Sequence, residues 1–125
     1  VSGKVIHGRK LGRQLGLPTA NISLQRKRLA FDGVYVVDAL TEDGQRHAAV
    51  ANVGVRPTVN GDAPLLEVHL LDFDGALYGQ RLQVEFLAPV RSEQKFADVQ
   101  ALQQQIHMDI KFAREWRERN ARALA

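Results

Sequence analysis

The densest run of chemically useful side chains lies between Gly8 and Asn21, GRKLGRQLGLPTAN, where three glycines recur every four residues among the cations Arg9, Lys10 and Arg13. Glycine at Gly8, Gly12 and Gly16 lets backbone amides approach a phosphate closely, and the cations can neutralise its charge. The stretch lacks the GxxxxGKS/T order and no strand-then-helix pattern brackets it, so it is not a P-loop. A solvated basic loop is the alternative. At its end, Pro18 leads into Thr19 and Asn21, two residues apart, which in an extended segment fall on the same side. A hydroxyl and a carboxamide so placed suit a hard cation such as magnesium, which takes its remaining oxygens from substrate phosphates and water. Turn chemistry beside the proline is the plainer explanation.

Glu67 is the carboxylate best placed for proton transfer. In LLEVHLL, Leu66, Val68 and Leu70 claim one face of a strand, and Glu67 and His69 the other. Such a face usually meets water. If it lines a site instead, Glu67 can take a proton from an alcohol, with His69 a less favoured candidate. The segment from Asn52 to Thr58 follows a strand and is expected to break it with Gly54 and Pro57, adding the cation Arg56 on a loop, with a surface turn as the plainer explanation. His7, His47 and His107 share no metal-ligand spacing, and Ser23 and Ser92 have no adjacent base. Asp72 and Asp74 are explained by a turn, and Arg91, Glu93 and Lys95 by a solvated helix entry.

The elements that must position these residues are legible from patterning. Strands are expected over residues 3–8 and, more strongly, 34–41, where β-branched and aromatic residues dominate. Asp43-Gly44 marks a tight hairpin returning through residues 46–53. A second hairpin is expected between residues 65–73 and 81–87, joined at Asp74-Gly75. From Asp98, a plausible N-cap, Val99, Leu102, Ile106, Ile110 and Ala113 recur at three- and four-residue intervals, an amphipathic helix fraying after Trp116. The order of elements reads as a small closed antiparallel barrel over about residues 1–90 with a helix over about 98–118.

The 125 residues, 45% apolar and 25% charged, suit one domain with one core. The absence of cysteine excludes disulfides, thiolate zinc and cysteine nucleophiles. No apolar run spans a bilayer and no signal peptide is visible, so a cytoplasmic protein without a membrane partner is expected. The net charge is only +3, yet residues 1–31 carry seven cations and no acid, so that third of the chain calls for an anion. Val1 in place of methionine suggests excision from a longer polypeptide.

Taken in order, GKVIHG, GRKLGRQLGLPTAN, FDGVYVV, ANVGVRPT, LEVHLLDFDGALYG and VRSEQKF followed by LQQQIHMDIKFAR resemble the riboflavin kinase family over residues 3–114. The resemblance is nearest to the kinase module of bacterial bifunctional FAD synthetases. It implies an all-β-dominated fold, a six-stranded antiparallel Greek-key β-barrel with a C-terminal α-helix. It also implies phosphorylation of the riboflavin 5′-hydroxyl by ATP, giving FMN and ADP. Thr19 and Asn21 would hold Mg²⁺ or another divalent cation, and Gly8, Lys10, Gly12, Arg13, Gly16 and Pro18 would cover the nucleotide. Asn52, Arg56 and Thr58 would form a second loop near it. Glu67 would be the general base, and Arg91, Glu93 and Phe96 would close over the flavin. A covalently linked N-terminal FMN adenylyltransferase domain is expected in the native chain, and these residues alone should make FMN and not FAD. Ala76, before Leu-Tyr-Gly, and Lys10-Leu11 depart from the family pattern.

Two other classes compete with that expectation. A flavin- or nucleotide-binding barrel without transfer activity would have no use for Thr19, Asn21 and Glu67 together. An RNA-binding barrel would need aromatic stacking platforms, and with no aromatic residue before Phe31 the basic third lacks them, so no nucleic-acid partner is expected.

Overall fold

The computed structural model describes residues 2–6, 19–22, 31–59, 61–73 and 77–121. Strands β1 (Ser2–Ile6), β2 (Thr19–Ile22), β3 (Gly33–Leu40), β4 (Arg46–Thr58), β5 (Gly61–Leu70) and β6 (Arg81–Arg91) precede helix α1 (Val99–Arg119). All pairings are antiparallel and run β1-β2-β5-β4-β3-β6, closing where β6 meets β1.

Period-two alternation divides each strand between two apolar compartments. Val37 and Ala39 of β3, Ala51 and Val53 of β4, Leu66, Val68 and Leu70 of β5, and Leu82 and Val84 of β6 fill the barrel interior. The intervening residues Val34, Val36 and Val50 face outward and pack with Ile110, Ala113 and Trp116 of α1. The helix thus covers one outer wall of the barrel, and a space between wall and helix can exist only there.

Helix α1 starts where its cap requires: Asp98 is extended and its carboxylate accepts from the Ala101 amide at 2.8 Å. It runs on past Trp116, and Arg117 donates to Asp38 on the outer face of β3 at 2.6 Å while Arg46 donates to the same buried carboxylate at 2.8 Å. That bridge ties the last helical turn to the sheet and accounts for order beyond the expected fraying point.

Three expectations need correction. Asn52–Thr58 is not a loop. Strand β4 continues through Pro57, pairing Gly54 with Leu65 and Thr58 with Gly61, so β4 and β5 form a hairpin. Proline is tolerated there because it lies next to the hairpin end, where little of the ladder remains to be broken. The hairpin expected between β5 and β6 does not form: β5 pairs with β2 and β4, and β6 with β1 and β3. The connection crosses the barrel end instead. Leu71 still donates to Ala48, Asp72 turns the chain at φ 54, and the Gly79 amide reaches the Val5 carbonyl at 3.0 Å. Finally, Val99 belongs to no buried stripe, being 53% exposed, while Asp109 is buried beside Ile106 and Ala113.

At the far end of β3, Gly33 has φ +105, and a Cβ there would stand 2.6 Å from the Arg91 carbonyl. Only glycine lets β3 start against the end of β6. Register shifts between Val34/Tyr35 and Val36/Val37 make β6 bulge beside it, bending that strand toward the helix.

Candidate active site

A cavity of about 150 Å³ lies between the outer barrel wall and α1. Leu102, Ile106 and Ile110 of the helix, with Val34, Val50 and Phe96, supply its apolar lining. Asn52, Glu67, His69, Arg91, Glu93, Gln94 and Asp109 supply the polar one. An apolar slot with a few convergent polar groups is the usual form of a small-molecule site, but this one is smaller than the roughly 300 Å³ at the low end of such pockets. It is sized for a chain or an edge of a ligand.

Strand register arranges the polar groups in a transverse row. Asn21 of β2 pairs with Glu67 of β5, Glu67 with Asn52 of β4, Asn52 with Val34 of β3, and Val34 with Arg91 of β6. Paired residues share a face, so one band around the barrel gathers the carboxylate, the amide and the guanidinium. One row along, Thr19 pairs with His69. Positions 19 and 21 therefore stand beside His69 and Glu67. Backbone register brings the expected metal positions next to the expected base without any contiguous motif.

Glu67 does not face bulk water. Its half-buried side chain opens on the cavity opposite α1, while Leu66 and Val68 point into the barrel. His69 is buried, and that burial pushes its imidazole down to about 4, with the Asp109 carboxylate opposing the shift. The ring is neutral at neutral pH.

Arg91 is consumed by its surroundings. Its Nε and Nη2 donate to Asp109 at 3.0 Å, its Nη1 donates to the Ser92 carbonyl at 3.1 Å, and its guanidinium lies over Phe96, 5.5 Å from the ring centroid. Gln105 donates to the same aspartate at 3.0 Å. Arg91 acts as a clasp between β6, Phe96 and α1. Glu93 leans against Gly54, where a Cβ would meet its Oε2 at 2.6 Å. Partial burial raises the Glu93 carboxyl above its usual range, opposed by Arg91.

Of the residues singled out from the sequence, Asn52, Glu67, Arg91, Glu93 and Phe96 meet at this cavity. The side chains of Thr19, Asn21, Arg56 and Thr58 are placed only by their strand register, and Gly8, Lys10, Gly12, Arg13, Gly16 and Pro18 lie outside the described residues. Sequence reasoning missed Asp109 and Gln105. A carboxylate inside the helical stripe, three residues after Ile106 and four before Ala113, was the available signal.

Barrel, covering helix and cavity together define a small antiparallel β-barrel domain that presents a carboxylate-bearing slot on its outer wall. The chain belongs to the riboflavin kinase family, whose model matches residues 1–117. It is 53% identical over 115 residues to a bifunctional riboflavin kinase/FMN adenylyltransferase of Pseudomonas fluorescens, covering 91% of this chain. The chain spans 37% of the length of that curated relative. Among solved structures, a Streptococcus pneumoniae protein described as a macrolide-efflux protein superposes with a TM-score of 0.82 at 38% identity, over 92% of this chain and 38% of that one. The riboflavin kinase of Trypanosoma brucei superposes with a TM-score of 0.61 at 26% identity, over 94% of this chain and 78% of that one.

Proposed function

We propose that this chain transfers the γ-phosphoryl group of ATP to the ribityl 5′-hydroxyl of riboflavin, giving FMN and ADP. The observation that carries this is Glu67, held on the outer wall by the alternation of β5 and facing a slot that α1 closes. The alcohol gives its proton to the Glu67 carboxylate as its oxygen bonds to phosphorus, and the bond from phosphorus to the bridging oxygen breaks, leaving ADP. Phosphoryl transfer asks mainly for positioning and charge neutralisation, so one base on a rigid strand suffices.

Mg²⁺ or another divalent cation fits the residues at hand: Thr19 and Asn21 offer neutral oxygens and fall in register with His69 and Glu67. An ion held by two neutral oxygens would be completed by phosphate oxygens and water. When bound, such an ion would neutralise charge on the transferring phosphate. Gly8, Lys10, Gly12, Arg13, Gly16 and Pro18 are assigned to the nucleotide, with Arg56 and Thr58 beside them, and Arg91, Glu93 and Phe96 to the flavin.

We read the sheet as a six-stranded Greek-key barrel, supported by the pairing order in which β2 lies between β1 and β5 and β3 lies between β4 and β6. We further propose that residues 1–125 form one kinase domain, joined in the native cytoplasmic protein to an FMN adenylyltransferase domain. The support is the bifunctional P. fluorescens relative, of which this chain spans only 37%.

The test is chromatography of riboflavin incubated with ATP, Mg²⁺ and the purified chain. FMN without FAD is expected, and Glu67→Gln should bind riboflavin yet lose at least about 100-fold in kcat, the lower end of general-base contributions. Full activity in the variant would remove Glu67 from the mechanism, and FAD formation would overturn the single-activity assignment.

A further inference from the structure

Asn52 Oδ1 is buried and has no hydrogen-bond partner among the described residues. A buried acceptor left unmade costs free energy, so such a group calls for an explanation. The residue that carries it lines the cavity, on the strand position paired directly with Glu67. An oxygen there accepts, so a ligand O–H or N–H would satisfy it.

We propose that Asn52 is a specificity residue for the acceptor's hydroxylated chain, its Oδ1 accepting from a secondary hydroxyl next to the hydroxyl that reacts. This rests on the reading of the slot as the riboflavin site, and it assigns Asn52 to the alcohol and not to the nucleotide. The terminal hydroxyl must meet Glu67 to lose its proton. Directly paired residues on adjacent antiparallel strands hold their Cβ atoms about 5 Å apart. A hydroxyl one or two carbons along a polyol therefore reaches Asn52 while the terminal one meets Glu67. The flavin ring, at the other end of that chain, is carried away from this pair toward Phe96 and the helix. The small cavity agrees, being sized for a chain more than for a tricyclic ring. An acceptor lacking hydroxyls would leave Oδ1 unsatisfied, and the site would reject it for that reason.

The test compares riboflavin with lumiflavin, which carries the same ring with a methyl in place of the hydroxylated chain. Fluorescence titrations are run on the parent chain, on Asn52→Ala, and on Asn52→Leu, which fills the volume with apolar atoms. Both variants should bind riboflavin about 5- to 50-fold more weakly, the range for a lost hydrogen bond to a buried group, and bind lumiflavin as the parent does. Asn52→Leu should also unfold at the same or higher urea concentration, since it removes an unpaired acceptor. Unchanged riboflavin affinity in the variants overturns the proposal. Equal weakening of both ligands also overturns it, because it places Asn52 against the ring or makes it structural. A folded parent that binds neither flavin defeats the reading of the site itself, and this proposal with it.

Discussion

Replacing Asp109 with asparagine should destabilise the protein more than any exposed charge change. Asn keeps the shape, so no cavity confounds the result. Asp109 accepts from Arg91 Nε and Nη2 and from Gln105, and its side chain is 4% exposed against 18% for Arg91. An amide can present one oxygen but must turn its own N–H group toward a donor, and the guanidinium then keeps its charge with no carboxylate to balance it. Removing one member of a buried pair costs about 3–5 kcal/mol. Arg91 retains some access to water, which discounts that cost to about 2–3 kcal/mol. Urea unfolding of the ligand-free chain reads this directly, as a lower midpoint at unchanged slope. The double replacement Arg91→Met with Asp109→Leu removes both charges and should recover to within about 1 kcal/mol of the parent, as apolar substitutes for buried pairs commonly do. A single variant within about 0.5 kcal/mol of the parent, the usual range for surface changes, would refute the clasp.

Gly33→Ala should cost about 1–3 kcal/mol, since alanine is strained at φ +105 and its Cβ would press on the backbone carbonyl of Arg91. Gly44→Ala, at φ +82 with open space around it, should cost less, and equal losses in urea midpoint would contradict the close-approach account. His69 sets a pH dependence. Its folded value of about 4 lies below the ordinary 6.5, so between these the unfolded chain holds a proton that the folded chain does not. Its contribution is complete above pH 6.5 and is lost as pH falls toward 4, by up to about 3 kcal/mol. His69→Gln should flatten that part of the stability profile, and identical slopes in parent and variant would argue against it.

Much of this geometry could be read from the chain because local rules agreed with the global fold. The alternation through Leu66, Glu67, Val68 and His69 assigned the faces of β5 correctly, Asp43-Gly44 marked the β3–β4 turn, and Asp98 marked the start of α1. What escaped was non-local. Asp74-Gly75 carries a hairpin signal, yet closing the barrel gives β5 and β6 other neighbours. Gly54 and Pro57 look like strand breakers, but Gly54 makes room for Glu93 and Pro57 sits at a hairpin end. Asp109 drew no reading from the sequence because its partner Arg91 lies on a strand eighteen positions away.

On β5, one side chain fills the barrel and the next faces the cavity under α1, so the strand serves both tasks in a single frame. A slip of one residue would send Glu67 and His69 into the apolar interior and turn Leu66 and Val68 toward the slot. No partly functional misaligned form can exist, because the displacement that abolishes the base also buries a charge and empties the core. Folding thereby proofreads the placement of Glu67, and substitutions at Leu66 or Val68 should be felt in turnover although both side chains lie inside the barrel, away from the cavity.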